Sequence, residues 1–237
     1  MANNTLDNIH IILVGITHPG NIGASARAMK TMGLTQMRLV RPKQFPNAEA
    51  TARACGADDI LFNAQIFDSY EESLQDFHLV FGASARQREI SWPVLTPRTC
   101  AEQALPIQAP VAIVFGRENS GLTNQELEYC NYLVQIPSDA NFSSLNVAAA
   151  VQVIAYELRM EKLKNTKFDS ALPSPASVEN MERLYKHLEE TLIDIKFLNP
   201  NHPRLLMRRL RRLFNRTQLI DSEVNILRGI LTATQEK

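Results

Sequence analysis

The sequence is poor in the residues that build covalent or metal frameworks. Its three cysteines, Cys55, Cys100 and Cys130, are far apart, with no CxxC pair and no histidine at metal-ligand spacing. A disulfide scaffold and a zinc site are both disfavoured, and no metal is expected. No stretch approaches the ~18 consecutive apolar residues of a membrane span. The short apolar run in MANNTLDNIHIILVGI has no basic segment before it, so the expectation is a cytoplasmic chain with no membrane association. Nine glycines and 12 prolines, against 45% apolar residues, exclude collagen-like, low-complexity and disordered classes. There is no GxGxxG, and although Gly15 to Gly20 has P-loop spacing, Asn21 and Ile22 stand where Lys and Ser/Thr are required. Dinucleotide redox chemistry and nucleoside triphosphate hydrolysis therefore drop out. An excess of one charge is also missing, since 25 basic residues balance 25 acidic ones, and the bulk number suggests no nucleic-acid partner.

That balance hides a segregation. Residues 1–164 carry 13 Lys+Arg against 16 Asp+Glu, whereas residues 165–237 carry 12 against 9. Within the second part, PRLLMRRLRRLFNR holds Arg204, Arg208, Arg209, Arg211, Arg212 and Arg216 with no acid and with leucines at helical spacing. One reading is a solvated amphipathic helix docking its leucines on the rest of the chain. The other is phosphate recognition, which suits the planar arginine fork.

Strand-length apolar runs recur at Ile9 to Ile16, Met37 to Val40, Leu79 to Phe81, Val111 to Phe115 and Tyr132 to Ile136. Segments of helical composition separate them: Ala24 to Met32, Ala48 to Cys55, Ser69 to Asp76, and Thr123 to Cys130 with a Thr123/Glu126 capping box. This alternation predicts an α/β domain with a mainly parallel sheet, its strands buried on both faces. A long helix follows over Leu145 to Leu163. The expected organisation is a domain over 1–164, a linker over 165–177 and a basic helical extension over 178–237, with helical periodicity at Val178 to Leu198, Arg204 to Phe214 and Ser222 to Thr234.

Four loops follow strands, the place where open α/β sheets bind ligands. The first, HPGNIGASARAMKTMG, offers a glycine-containing turn and a helix N-terminus, with Asn21 as candidate N-cap and the cations Arg27 and Lys30. GASARQR offers small residues beside Arg86 and Arg88. VAIVFGRENSGLTNQEL places Gly116, Arg117 and Glu118 after a buried strand. IPSDANFSSLNVAAAVQVIAYEL places Ser143, Ser144 and Asn146 before the long helix.

In order and spacing, NIGASARAMKTMG, FGRENSGLTNQEL and IPSDANFSSLNVAAAVQVIAYEL resemble the three motifs of SPOUT-class RNA ribose 2′-O-methyltransferases. The tail HPRLLMRRLRRLFNR with EVNILRGIL is similar to that of their bacterial tRNA (cytidine/uridine-2′-O)-methylating branch. The resemblance implies an α/β domain with a carboxyl-terminal trefoil knot, a homodimer, and S-adenosylmethionine cradled at Ala83, Ser84, Ala85, Gly116, Ile136, Ser143, Ser144 and Leu145. It places Arg27 at the reacting hydroxyl, with Asn21, Glu118, Ser144 and Asn146 around it. The implied substrate is tRNA, at C or U in position 32 of the anticodon loop, and the candidate RNA contacts are Lys30, Arg86, Arg88, Arg117, Arg208, Arg209, Arg211 and Arg212. Methylation of ribosomal RNA and a catalytically silent RNA-binding module are the alternatives.

Overall fold

A strand buried on both faces must be apolar in both registers, and β1 (Ile9–Val14) is so apart from His10 near its start: Ile9, Ile11 and Leu13 enter one core layer, Ile12 and Val14 the other. The computed structural model describes residues 6–85, 92–139, 141–164, 174–201 and 205–236. After β1 come α1 (Pro19–Met32), β2 (Gln36–Val40), α2 (Ala48–Ala54), α3 (Asp58–Phe62), β3 (Gln65–Phe67), a 3₁₀ turn (Glu72–Leu74), β4 (Leu79–Ala83), β5 (Val94–Leu95), α4 (Pro97–Ala104), β6 (Val111–Phe115), α5 (Asn124–Leu127), β7 (Tyr132–Val134) and α6 (Val147–Lys164). The tail is α7 (Val178–Asp194), α8 (Leu206–Thr217) and α9 (Asp221–Gln235).

The seven strands form one sheet in the order β3-β2-β1-β6-β4-β7-β5, with every pair parallel. Helix α6 packs beside α1 and α4. The polypeptide moves outward from β1 to β2 and β3, then returns to the other side of β1, so the β1/β6 boundary is a topological switch point, where a crevice opens at the carboxyl ends of strands. Gly23 lets α1 lie against α2, since a Cβ there would stand 1.9 Å from the Ala50 carbonyl oxygen.

Several boundaries differ from the sequence reading. β1 stops at Val14 because Gly15 turns the backbone at φ +62°, and α1 begins at Pro19, a proline suited to the first helical position, rather than at Ala24. Asn21 is consequently not the N-cap, a position held by His18 without a side-chain cap bond. The 69–76 stretch yields only the 3₁₀ turn. Strands β3 and β5 are too short to carry a periodicity, and α4 is capped by a Thr96/Thr99 box in place of the usual acidic partner.

Residues 165–173 of the expected linker lie outside the described residues, but its end is pinned. The Ala176 N–H donates to the Leu219 carbonyl (2.6 Å), Ser177 caps α7, and the Val178 N–H donates to the Phe77 carbonyl (2.8 Å). The tail has its own small core of Ala176, Met181, Leu184, Tyr185 and Val224.

One half-buried polar group gives the domain a pH signature. His10 packs edge-on against Phe77 (4.9 Å between centroids), near Arg38, which is itself buried and pairs with Asp76 at 2.7 Å. Burial, helped by the Arg38 charge and opposed by Asp76, pushes the imidazole down from 6.5 to about 4. The unfolded chain therefore takes up this proton first as pH falls, and stability present above pH 6.5 is lost on the way to pH 4. The loss is about 3 kcal/mol, to be read by denaturant titration and flattened in His10→Leu.

Candidate functional site

The carboxyl ends of three neighbouring strands, β6, β4 and β7, frame an open cleft with a cavity volume of about 130 Å³. Ala83, Ser84 and Ala85 line it after β4, Gly116 after β6, and Ile136, Ser143, Ser144 and Leu145 after β7. The structure thus brings to one wall all eight positions singled out for a cofactor. Phe115, Val134 and Val147 add apolar surface that the motif reading did not name, because a strand end and a helix start are visible in sequence only as core.

Gly116 is required by close approach. Arg117 and Gly121 exchange backbone hydrogen bonds of 3.2 and 2.8 Å, folding the loop back so that a Cβ on Gly116 would lie 2.1 Å from the Gly121 carbonyl carbon. Backbone cannot yield as a flexible side chain can. Gly116→Ala is expected to cost about 1–3 kcal/mol, measured by thermal unfolding, and to distort the cleft wall.

Glu118, at the cleft rim, reaches across the β6/β1 boundary. Its carboxylate accepts from the Thr17 N–H (3.2 Å), the Thr17 hydroxyl (3.0 Å), the His18 N–H (3.2 Å) and the Asn21 amide (3.0 Å). Partial burial works against this charge, but the Asn21 amide and the backbone N–H groups of Glu118, His18 and Thr17 outweigh burial and pull the carboxyl from 4.5 down to about 2. The Asn146 amide then donates to Asn21 Oδ1 (2.9 Å), while Asn146 Oδ1 accepts the Ala148 N–H (2.9 Å) and caps α6. Glu118, Asn21 and Asn146 therefore form one hydrogen-bonded row drawn from the loop after β6, the first turn of α1 and the loop before α6. Thr17 and His18 were missed as its anchors because they act mainly through backbone N–H groups, which residue type does not advertise.

The cations separate into groups. Arg27 is exposed on α1 and does not line this chain's cleft. Lys30 bonds the Gly56 carbonyl (2.9 Å) and Asp59 (2.8 Å), tying α1 to α3. Arg117 turns inward: its guanidinium forms two bonds with Glu126 (3.0 and 2.9 Å), so it braces the loop and does not present a free cation. Arg211 is likewise engaged bidentately by Glu182 over the Tyr185 ring, and Arg208 pairs with Glu128 at 2.6 Å. These arginines secure the protein's own elements, whereas Arg209 is exposed and Arg212 half-buried. Arg86 and Arg88 lie outside the described residues. Among the described residues no group of His, Cys, Asp and Glu is placed to hold a metal, and no helix is long and apolar enough to cross a membrane.

Residues 8–156 match the SpoU rRNA Methylase family, and residues 179–237 match the C-terminal domain of the tRNA methyltransferase TrmJ. A Pseudomonas aeruginosa tRNA (cytidine/uridine/adenosine-2′-O-)-methyltransferase TrmJ is 52% identical, covering 98% of this chain and 95% of its own length. A Sodalis glossinidius tRNA (cytidine/uridine-2′-O-)-methyltransferase TrmJ is 48% identical over 97% and 92%. The crystal structure of TrmJ from Z. mobilis superposes with a TM-score of 0.83 at 34% identity, covering 96% and 99% of the two chains. With its parallel-sheet domain and its helical tail both matched, the chain belongs to the SpoU methylase family, in its TrmJ group.

Proposed function

We propose that the protein transfers a methyl group from S-adenosylmethionine to a ribose 2′-hydroxyl of tRNA in the cytoplasm, at C or U in position 32 of the anticodon loop. The observation that carries this reading is the cleft itself: small residues and backbone from three strand ends, an apolar wall, and the Glu118–Asn21–Asn146 row at its rim. Its 2′-O-methylating TrmJ relatives, similar over nearly the whole chain, support it.

The residues fit such a cofactor. Phe115, Val134, Ile136, Leu145 and Val147 offer apolar surface to a purine ring, and a glycine at 116 leaves backbone reachable where a Cβ would collide. When bound, S-adenosylmethionine supplies an electrophilic methyl on a sulfonium. The protein's contribution is then alignment. Glu118, fixed as an anion, is too weak a base to take the hydroxyl proton and instead holds the Thr17–Asn21 turn, leaving Asn21 and Asn146 amide groups oriented at the rim. Arg27 does not line its own cleft, so in this reading it serves the cleft of a second copy in a homodimer. Arginine is not deprotonated in proteins, which favours a role as clamp on the adjacent phosphate over that of base. The trefoil threading of the chain belongs to the same reading.

The purified protein should methylate the position-32 ribose of unmodified tRNA transcripts carrying C32 or U32, with A32 included because the Pseudomonas relative's name spans adenosine. Incorporation into ribosomal RNA alone would overturn the tRNA assignment. No binding of S-adenosylhomocysteine by calorimetry would turn the reading to a silent RNA-binding module. On the tail, Arg209→Ala with Arg212→Ala should make the slope of log K against log salt shallower by about 1 to 2. Arg211→Ala should instead lower the melting temperature, because it leaves Glu182 unpaired.

A further inference from the structure

Beyond the Val178–Phe77 bond and the contact of Pro175 with His78, the tail meets the parallel-sheet domain along one short segment, residues 128–132, which follows α5 and runs into β7. Asn215 of α8, 5% exposed, donates through Nδ2 to the carbonyls of Glu128 (2.9 Å) and Cys130 (3.4 Å), and its Oδ1 accepts from the Tyr185 hydroxyl. Those carbonyls lie at and just beyond the C-terminus of α5, where a helix leaves acceptors unpaired. Asn131 answers with its own amide to the Asn215 carbonyl (3.1 Å), while its Oδ1 accepts the Val80 N–H of β4 (2.8 Å). Arg208 pairs with Glu128 at 2.6 Å, and Gln218 donates to the Tyr132 hydroxyl (2.7 Å).

The elements flanking this segment serve the cleft. Glu126, at the opposite side of the four-residue α5, accepts the Thr123 N–H (2.7 Å) and both guanidinium branches of Arg117, whose loop lines the cleft. β7 leaves the segment at Tyr132 and delivers Val134 and Ile136 to the cleft wall. α5 and the residues after it are thus bonded to Arg117 of the cleft loop on one side and to Asn215 and Arg208 of the tail on the other.

We infer that docking of the tail sets the geometry of the cofactor cleft, with Asn215 and Arg208 as positioning residues that act through α5 and β7. This rests on the cleft being the S-adenosylmethionine site. α8 then has two duties: its buried side supports the cleft, and its outward side carries Arg209.

The test is calorimetry of S-adenosylhomocysteine with the full chain and no RNA, beside thermal melting. Asn215→Leu, which fills the space but removes the amide, is expected to weaken binding about tenfold. Arg208→Ala should weaken it severalfold, and Arg208→Lys, which keeps a cation opposite Glu128, should return it to the wild-type value. Thr217→Ala, exposed on the same helix, should leave it unchanged. The Arg208 pair carries the test should Asn215→Leu fail to fold. Undiminished affinity in a folded Asn215→Leu, or in Arg208→Ala if the former does not fold, overturns the inference. Absent binding in the wild type overturns the cofactor reading, and this inference with it.

Discussion

Arg27→Ala should lower methyl transfer by about 10²–10³-fold while leaving affinity for S-adenosylmethionine within severalfold of wild type. Arg27 projects from the exposed side of α1, outside the cleft lining, so its loss removes nothing that shapes the cleft. In the proposed reaction what is lost is a fixed cation on the RNA phosphate beside the reacting hydroxyl, an interaction whose value lies in alignment and in favouring loss of the hydroxyl proton. Retained turnover would remove Arg27 from the reaction. Its action across the dimer has a separate check. Mixing Arg27→Ala chains with Asn146→Ala chains creates, in heterodimers, one cleft with an intact rim facing an intact Arg27. Activity should reappear on mixing if Arg27 works in the partner's cleft, and should stay absent if each chain uses its own.

Glu118→Ala should be nearly as damaging, by about 10²-fold in kcat, for a different reason. Its carboxylate is the common acceptor for Thr17, His18 and Asn21, and Asn21 in turn holds Asn146. Truncation leaves these donors without their acceptor and frees the loop after β1 from the loop after β6. Glu118→Gln keeps one acceptor oxygen but turns an amide N–H₂ toward the remaining donors, so its loss should be intermediate. The pH profile separates organiser from base. With the carboxyl pulled down to about 2, kcat/KM should show no inflection from this group between about pH 4.5 and 9. An acidic limb present in wild type and lost in Glu118→Gln would make it a base instead.

Much of this arrangement is legible in the chain because it rests on backbone demands that leave a residue signature. Gly116 must lack a Cβ, Thr123 and Glu126 form the capping box that the sequence announces, and the runs ending at Ala83, Phe115 and Val134 mark where the loops begin. What stayed hidden depends on partners distant in sequence. Lys30, Arg117 and Arg211 read as cations available to phosphate until Asp59, Glu126 and Glu182 are seen opposite them. How Arg38, inside the Met37 to Val40 run, is accommodated in the core emerges only from the Asp76 carboxylate and the faces of Phe67 and Phe77 around it. Asn21 fits the sequence profile of a cap, but Pro19 starts the helix earlier and releases its amide to Glu118. Asn215, a lone amide amid arginines and leucines, has no motif at all, and its role emerges only from the carbonyls it meets.

Mapping 2′-O-methyl groups in tRNA from a deletion strain decides whether this chain methylates a tRNA ribose. The modification at C or U in position 32 should disappear on deletion, return with the wild-type gene and fail to return with Arg27→Ala. An unchanged tRNA methylation map in the deletion strain would rule out tRNA methylation by this protein.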